Sequence, residues 1–260
     1  MNTSQKANRV TNKKTSSKKY SRNNTSPKSN IGYMLPLIFV MSILPLIMFL
    51  HTYDSGLSKY NWFSYNTEQI DIFLYYKQIF FITSCTIMLM LILYKVFIGK
   101  FHKKFLSIFI PLFTYGILAF LSTLFSDYPS YGFIGFFEQF ESIFVILGYC
   151  LLVYYAFLFI ETEEDIKFLF KYFLIGVTII IILGVLQAIG YDFFATNFGK
   201  KLFLPRAYWN DLDNVSFTFG TNRVYMTLYN PNYVGVYVAL ILPIVLGLLL
   251  TERRKKQIIK

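Results

Sequence analysis

The polar residues closest to a chemical function stand just before the last apolar stretch of the chain. Arg223 opens "RVYMTLYNPNYVG", and Asn230-Pro231-Asn232 then leads into the apolar run 233–250. Asn caps helices well and Pro fits the first helical position, so this pattern predicts a helix start. Helix N-termini attract anions, and arginine binds phosphate through a forked pair of hydrogen bonds. The stretch therefore predicts an anion site suited to phosphate, with a plain interfacial arginine as the alternative.

Two further groups of residues could take part in such chemistry. Arg206 and Trp209 belong to the same long segment, 191–232, and the tryptophan suits either anchoring at a membrane interface or stacking on a sugar ring. Glu138 and Glu141 are three residues apart and would share a helix face if a helix began early. Either carboxylate could pair with an arginine or act as a general base, the alternative being solvated interfacial charge.

Other common chemistries have no pattern in this sequence. No glycine-rich phosphate loop and no HExxH motif occur. Cys85 and Cys150 stand in separate apolar runs and are expected to be small buried hydrophobic residues. His51 and His102 are far apart, so a shared metal site is not expected. We predict neither a metal nor a nucleotide cofactor.

Composition predicts a membrane protein. Of the 260 residues, 55% are hydrophobic and only 15% are charged, whereas soluble domains carry about 25% charged residues. Mean hydropathy is +0.47. The net charge of +11 is concentrated at the chain ends and in short loops between apolar runs. Membrane topology explains that distribution better than nucleic-acid binding does.

The predicted fold class is all-α, a polytopic bundle of about six transmembrane helices. Gln187, near the end of the fifth span, is expected to hydrogen-bond within the bundle. The six predicted spans are residues 31–50, 79–98, 105–125, 142–160, 172–190 and 233–250.

Positive charges predict the orientation of the bundle. With the N-terminus in the cytoplasm, nineteen of the 25 Lys and Arg residues fall on the cytoplasmic side and six outside. The termini would be a disordered basic tail at 1–30 and a basic end at 251–260, both cytoplasmic. The outer segments would be 51–78, 126–141 and the long loop 191–232.

The motif around Arg223 resembles the O-antigen ligase and O-antigen polymerase family of bacterial membrane glycosyltransferases. That family often shows an arginine, a short gap and then (T/G)-x-x-NPN-x-x-(G/A) at the start of a helix. Here Arg223, Thr227 and Gly235 occupy the corresponding places around "NPN". The segment "SDYPSYGFIGFFEQFE" resembles the family's S-x-x-P…G…R-x-E-G segment, with Glu141 at its glutamate. "LQAIG" is similar to the family's LQ-x-x-G helix end.

The resemblance implies a reaction and a larger fold. Family members have ten to fourteen transmembrane helices and move a glycan from an undecaprenyl-diphosphate carrier on the outer side of the inner membrane. Arginines grip the diphosphate, and Arg223 matches one of them. The expected base is a histidine in a later outer loop, which neither His51 nor His102 matches.

We therefore expect this chain to correspond to the N-terminal half of such an enzyme and to be inactive without a missing C-terminal half. The expected partners are membrane lipids and the carrier-linked glycan, which Arg206, Asn230, Asn232 and Trp209 would help to bind. A non-catalytic polytopic membrane protein, such as a transporter fragment or an assembly subunit, is the alternative. Polar groups gathered outside apolar spans favour the first interpretation, because transporters concentrate polar or broken helices at mid-membrane.

Overall fold

The computed structural model of the chain describes residues 31–59, 68–99, 107–136, 138–214 and 223–258. The predicted tail 1–30 and His102 lie outside these residues. The described part is mostly helical, with one small sheet. The helices are α1 (Ile31–Ile38), α2 (Tyr75–Phe97), α3 (Ile110–Leu124), α4 (Pro129–Ile134), α5 (Ile143–Phe159), α6 (Glu163–Ala188), α7 (Asn197–Phe203) and α8 (Pro231–Ile258).

The described part is mostly helical, as predicted, but it also contains a two-stranded sheet that the sequence did not indicate. Strands β1 (His51–Asp54) and β2 (Glu68–Asp71) pair antiparallel, with His51 opposite Asp71. Both strands fall in the first predicted outer segment. Their pairing joins residues far apart in sequence, so no local periodicity indicates it.

The lengths and compositions of the helices fit the predicted membrane character. Within the described residues, four helical segments are long and apolar enough to cross a membrane: Tyr75–Phe97, Ser107–Leu124, Glu163–Ala188 and Pro231–Thr251. Ile31–Leu46 and Ile143–Phe159 are apolar but shorter. At 1.5 Å per residue, the 17 residues of α5 extend about 25 Å, somewhat less than a hydrocarbon core of about 30 Å.

The first apolar segment, Ile31–Leu46, is an irregular helix that packs very closely on α6. After α1 it continues as a π-helical turn, Phe39–Ile43, and a 3-10 turn, Leu44–Leu46. A Cβ atom on Gly176 of α6 would lie 2.5 Å from the Ser42 carbonyl oxygen. The glycine therefore permits a backbone approach that any larger residue would obstruct.

Helix α6 begins well before the predicted span 172–190. Thr162 Oγ1 accepts a hydrogen bond from Asp165 N at 3.1 Å, and Asp165 Oδ2 accepts one from Thr162 N at 3.0 Å. This capping box starts the helix at Glu163, and the acidic first turn complements the helix dipole. The run "ETEED" is thus a helix start as well as a charged loop.

Three connecting segments form one layer at the end of the bundle where α2, α5 and α8 begin. We call the described residues of 47–74, 125–142 and 189–230 the loop layer. Leu50 N donates to Phe203 O at 2.8 Å, which joins the first and third segments. The Tyr53 and Phe140 rings meet edge to face at 5.4 Å, which joins the first and second. The three segments that the sequence assigned to one side therefore lie together.

Candidate functional site

The start of helix α2 carries a cation into the interior of the loop layer. Asp71 Oδ2 accepts hydrogen bonds from Leu74 N and Tyr75 N, each at 2.8 Å. This cap starts the helix at Tyr75, four residues before the predicted span. Lys77 and Gln78 consequently stand in the first helical turns.

Lys77 is held against the segment that precedes α8. Its Nζ donates to the Thr227 carbonyl oxygen. Thr227 is 1% exposed, and its Oγ1 donates to Pro45 O at 2.8 Å. Among the described residues no carboxylate forms an ion pair with Lys77, although the Asp71 charge acts on it. An ammonium has three N–H donors, so two remain for another acceptor.

A cavity of about 340 Å³ lies beside Lys77, between the first apolar segment, α2, α5, α8 and the loop layer. Most of its wall is apolar, including Val40, Leu44 and Phe81. Among the described residues of its lining, Lys77 and Glu141 are charged. Gln78, Gln139, Tyr149, Tyr233 and Tyr237 supply its other polar groups.

The hydrogen bonding of the cavity wall leaves donors for a ligand. Gln78 Nε2 donates to Ile134 O at 2.8 Å, so that amide is anchored to the loop layer. The Tyr237 hydroxyl is buried and has no partner within the described part of the chain. A ligand that offers anionic or hydroxyl oxygens here would meet an ammonium and a phenol together.

The predicted helix start at Asn230-Pro231 is confirmed, but its donors are used internally. Asn230 Oδ1 accepts hydrogen bonds from Asn232 N at 2.9 Å and Tyr233 N at 3.2 Å. Val234 N donates to Asn230 O at 3.3 Å. Pro231 has no N–H, so the cap satisfies the first-turn donors that a bound anion would need. Glycan contacts of Asn230 and Asn232 remain predictions.

The other predicted residues fall into separate places. Arg223 is exposed and is not among the residues that line the cavity. Arg206 lies over the Trp209 ring at 5.8 Å, and Lys201 lies over the same ring at 5.3 Å. Glu141 is exposed and does line the cavity. The structure thus joins Glu141 with Lys77, and Arg206 with Trp209.

Two groups of charged residues in the loop layer do not offer the chemistry expected of a shared helix face or of a free cation. Glu138 and Glu141 do not share a helix face, because α5 begins only at Ile143. Glu138 has a φ of 67°, which belongs to a turn. Lys200, another charged residue of the loop layer, is 9% exposed, and its Nζ donates to Leu212 O at 2.7 Å. It supports the fold rather than offering charge to a ligand.

Gln187 hydrogen-bonds within the structure, as predicted, and fastens the segment that contains Arg223 and Thr227. Its Oε1 accepts from Tyr225 N at 3.1 Å and from Met226 N at 2.7 Å. Its Nε2 donates to Asp192 Oδ1 at 3.3 Å, and the Tyr225 hydroxyl donates to Asp192 Oδ2 at 2.6 Å. Burial and this carboxylate raise the pKa of Tyr225, so the hydroxyl remains a donor.

Sequence reasoning missed Lys77 as a site residue, although a signal was present. Asp71, followed three residues later by Leu74 and then by an apolar run, is a helix-capping pattern. Recognition of this pattern would move the predicted start of α2 upstream and place Lys77 and Gln78 inside the helix. Contact with Thr227, 150 residues away, could not be inferred from the sequence.

Neither cysteine indicates a metal or redox site. Cys85 and Cys150 are buried and free, as expected. Their Sγ atoms lie 3.7 Å from Gly148 O and 3.5 Å from Leu112 O. Within the described ranges no group of three His, Cys, Asp or Glu residues could hold a metal ion.

Comparisons with known proteins leave the family unassigned. No family model matches the chain, and no significant match is found among curated proteins or solved structures.

Proposed function

We propose that this protein binds an undecaprenyl-diphosphate-linked glycan at the outer face of the bacterial inner membrane and takes part in its transfer or polymerisation. The observation that carries the proposal is Lys77, a partly buried cation without an ion pair among the described residues, beside an apolar cavity. A cation removed from water is costly unless an anion neutralises it. The motif around Arg223 supplies the likeness to glycan-transferring enzymes.

The cavity suits the two ends of such a carrier. Its apolar wall continues from helices of membrane-spanning character and would receive the isoprenoid chain. The Lys77 ammonium would bind the diphosphate through its two remaining donors and stabilise the charge that develops as the diphosphate leaves. Glu141 is the candidate to accept a proton from an acceptor hydroxyl.

The proposal includes an orientation. The loop layer would face the outer side, all six apolar segments would cross or enter the membrane, and both termini would be cytoplasmic. The unequal distribution of lysine and arginine supports this arrangement. The described carboxylates and amides lie near the cavity. This position fits a binding role at the membrane surface better than a transport path through the centre of the membrane.

Deletion of the gene in its native cell tests the function. We expect less surface polysaccharide and an accumulation of carrier-linked glycan, measured by gel analysis of the polysaccharide and mass spectrometry of extracted lipids. Complementation with the wild-type chain should restore both. Lys77→Met should fail to restore them, whereas Lys201→Met, a matched change of an exposed lysine, should succeed. Unchanged polysaccharide and carrier pools in the deletion strain would refute the proposal.

A further inference from the structure

A second cavity of about 370 Å³ lies within the loop layer, adjacent to the first. Aromatic rings form one side of it. His51 stacks on Tyr75 with ring centroids 3.5 Å apart, and Tyr53 lies nearly parallel to His51 at 5.8 Å. Phe140 packs edge-on against Tyr53 and Tyr75 at 5.4 and 5.6 Å, and it also lines the first cavity.

Polar groups also line this cavity. Asp54, Ser55, Ser130 and Tyr131 line it. Asp54 Oδ1 accepts a hydrogen bond from Gly56 N at 2.9 Å, which fixes the turn that presents these residues. Aromatic surface together with a few hydroxyl and carboxylate groups is typical of the lining of a small-molecule site.

Ser55 provides an independent indication of a ligand. The residue is 7% exposed, and its Oγ is buried without a hydrogen-bond partner in the described part of the chain. A buried hydroxyl without a partner is unfavourable, and such groups in proteins usually meet a ligand or water. Because Ser55 borders the cavity, a hydroxyl or carbonyl of a bound molecule could supply the missing bond.

The charges of the lining restrict the ligand. Asp54 contributes a carboxylate, and the described residues of the lining include no Lys or Arg. Burial lowers the pKa of His51, although Asp71 partly offsets this, so the imidazole is neutral at physiological pH. Phosphates and uronic acids would therefore be repelled by Asp54 without a compensating cation.

We propose that this second cavity binds a neutral or N-acetylated sugar ring, stacked on the aromatic side and hydrogen-bonded to Ser55, Asp54 and Ser130. The C–H face of a sugar is attracted to the negative face of an aromatic ring, and its hydroxyls match the polar groups of the lining. Its role as the glycan subsite beside the Lys77 cavity rests on the proposed function. The binding itself does not.

Saturation-transfer NMR on the full chain in nanodiscs of phosphatidylethanolamine and phosphatidylglycerol tests the proposal. The probes are methyl glucoside, methyl N-acetylglucosaminide, glucuronate and choline. We expect the two neutral sugars to bind and the other two to bind more weakly. Absence of binding by both neutral sugars, or tighter binding of glucuronate or choline, would overturn the assignment.

A matched pair of leucine variants locates the binding. Ser130 and Ser58 are both exposed residues of the loop layer, but only Ser130 lines the cavity. We expect Ser130→Leu to raise the Kd of the sugars by at least about tenfold by occupying the cavity, and Ser58→Leu to leave it unchanged. Equal sugar affinity in the two variants would contradict the location.

In a second pair of variants, each substitution removes one buried serine hydroxyl. Ser55 and Ser42 both carry a buried Oγ without a described partner, and Ser42 lies in the first apolar segment away from the cavity. Neither Ser55→Ala nor Ser42→Ala should lower the Tm, because no hydrogen bond is lost. Only Ser55→Ala should weaken sugar binding, and unchanged binding would contradict the role of Ser55. Retention of sugar binding by Lys77→Met would separate this site from the diphosphate site.

Discussion

At the scale of single residues, the candidate site is built from polar side chains whose partners are distant in sequence. Lys77 meets Thr227, Gln187 meets Tyr225 and Met226, and Thr227 meets Pro45. The sequence identified Gln187 because an amide inside an apolar helix requires a partner. It identified Lys77 only as one more positive charge, because the cap at Asp71 that places this lysine inside α2 was not recognised.

The Gln187 amide should be important for stability. Gln187→Leu leaves the buried N–H groups of Tyr225 and Met226 without an acceptor, at about 1–3 kcal/mol each. We expect a clear fall in Tm in detergent. Thr178→Val on the same helix removes an exposed side-chain bond to Leu174 O and should have little effect. Similar Tm values for the two variants would show that Gln187 does not hold the segment.

His51 predicts a pH dependence of stability. Burial lowers its pKa below the usual value of about 6.5, so the unfolded chain takes up the proton first as pH falls. Burial raises the pKa of the neighbouring Tyr53 to about 12, so it stays uncharged in this range, and Asp71 acts on His51 in the opposite direction. Stability should be full above pH 6.5 and decrease below it. His51→Phe keeps a stacked ring and should reduce that decrease in Tm, whereas an identical pH profile would contradict the assignment.

At the scale of elements, apolar runs located the helices, but local caps determined where they begin. Helix α8 begins at Pro231 as predicted because its cap, Asn230, was recognised. The predicted starts of α6 and α2 were misplaced because the caps at Thr162 and Asp71 were not recognised in the sequence. The β1–β2 pair was missed entirely, since strand pairing depends on residues outside any local window.

The cap at Asn230 separates a structural role from a binding role. Asn230→Ala should cost about 1 kcal/mol by leaving the first-turn N–H groups of α8 unsatisfied. Because those groups are not available to a ligand in the folded protein, binding of undecaprenyl diphosphate should be unchanged. Thermal unfolding and native mass spectrometry of the variant measure the two effects. A loss of diphosphate binding with an unaltered Tm would restore the helix start as the anion site.

The close contact between α6 and the first apolar segment gives another prediction. Gly176→Ala forces the Ser42 backbone away from α6 and should destabilise the bundle by about 1–3 kcal/mol. A Cβ on Gly247 of α8 meets nothing within 4 Å, so Gly247→Ala should be neutral or stabilising by about 0.5–1 kcal/mol. Thermal unfolding in detergent measures the Tm of both variants. Equal Tm values would contradict the close packing of Gly176 against the Ser42 backbone.

At the scale of the whole molecule, composition predicted a bundle of membrane helices. The alternation of apolar runs with polar segments predicted that the three outer segments lie at the same end of the bundle. The loop layer confirms that grouping through the contacts of Leu50, Tyr53 and Phe140. The two cavities could not be predicted, because each is enclosed by residues from several distant segments. Glu141 was the one predicted site residue that the structure places in the Lys77 cavity.

Topology can be tested by cysteine labelling in intact cells. Ser58→Cys and Asn210→Cys lie in the loop layer and should react with a membrane-impermeant maleimide. Glu164→Cys, at the opposite end of α6, should react only after cell lysis. The wild-type chain is a low-background control because both native cysteines are buried. Labelling of Glu164→Cys but not of Ser58→Cys or Asn210→Cys in intact cells would show the opposite orientation to the one proposed.

The most direct test of the central claim is binding of undecaprenyl diphosphate to the nanodisc-reconstituted chain, followed by native mass spectrometry. A charge-assisted contact from Lys77 is worth about 1.5–3 kcal/mol, so Lys77→Met should weaken binding by about tenfold to a hundredfold. Lys201→Met should match the wild type. Equal affinity of all three proteins for the diphosphate would show that the Lys77 cavity is not its binding site.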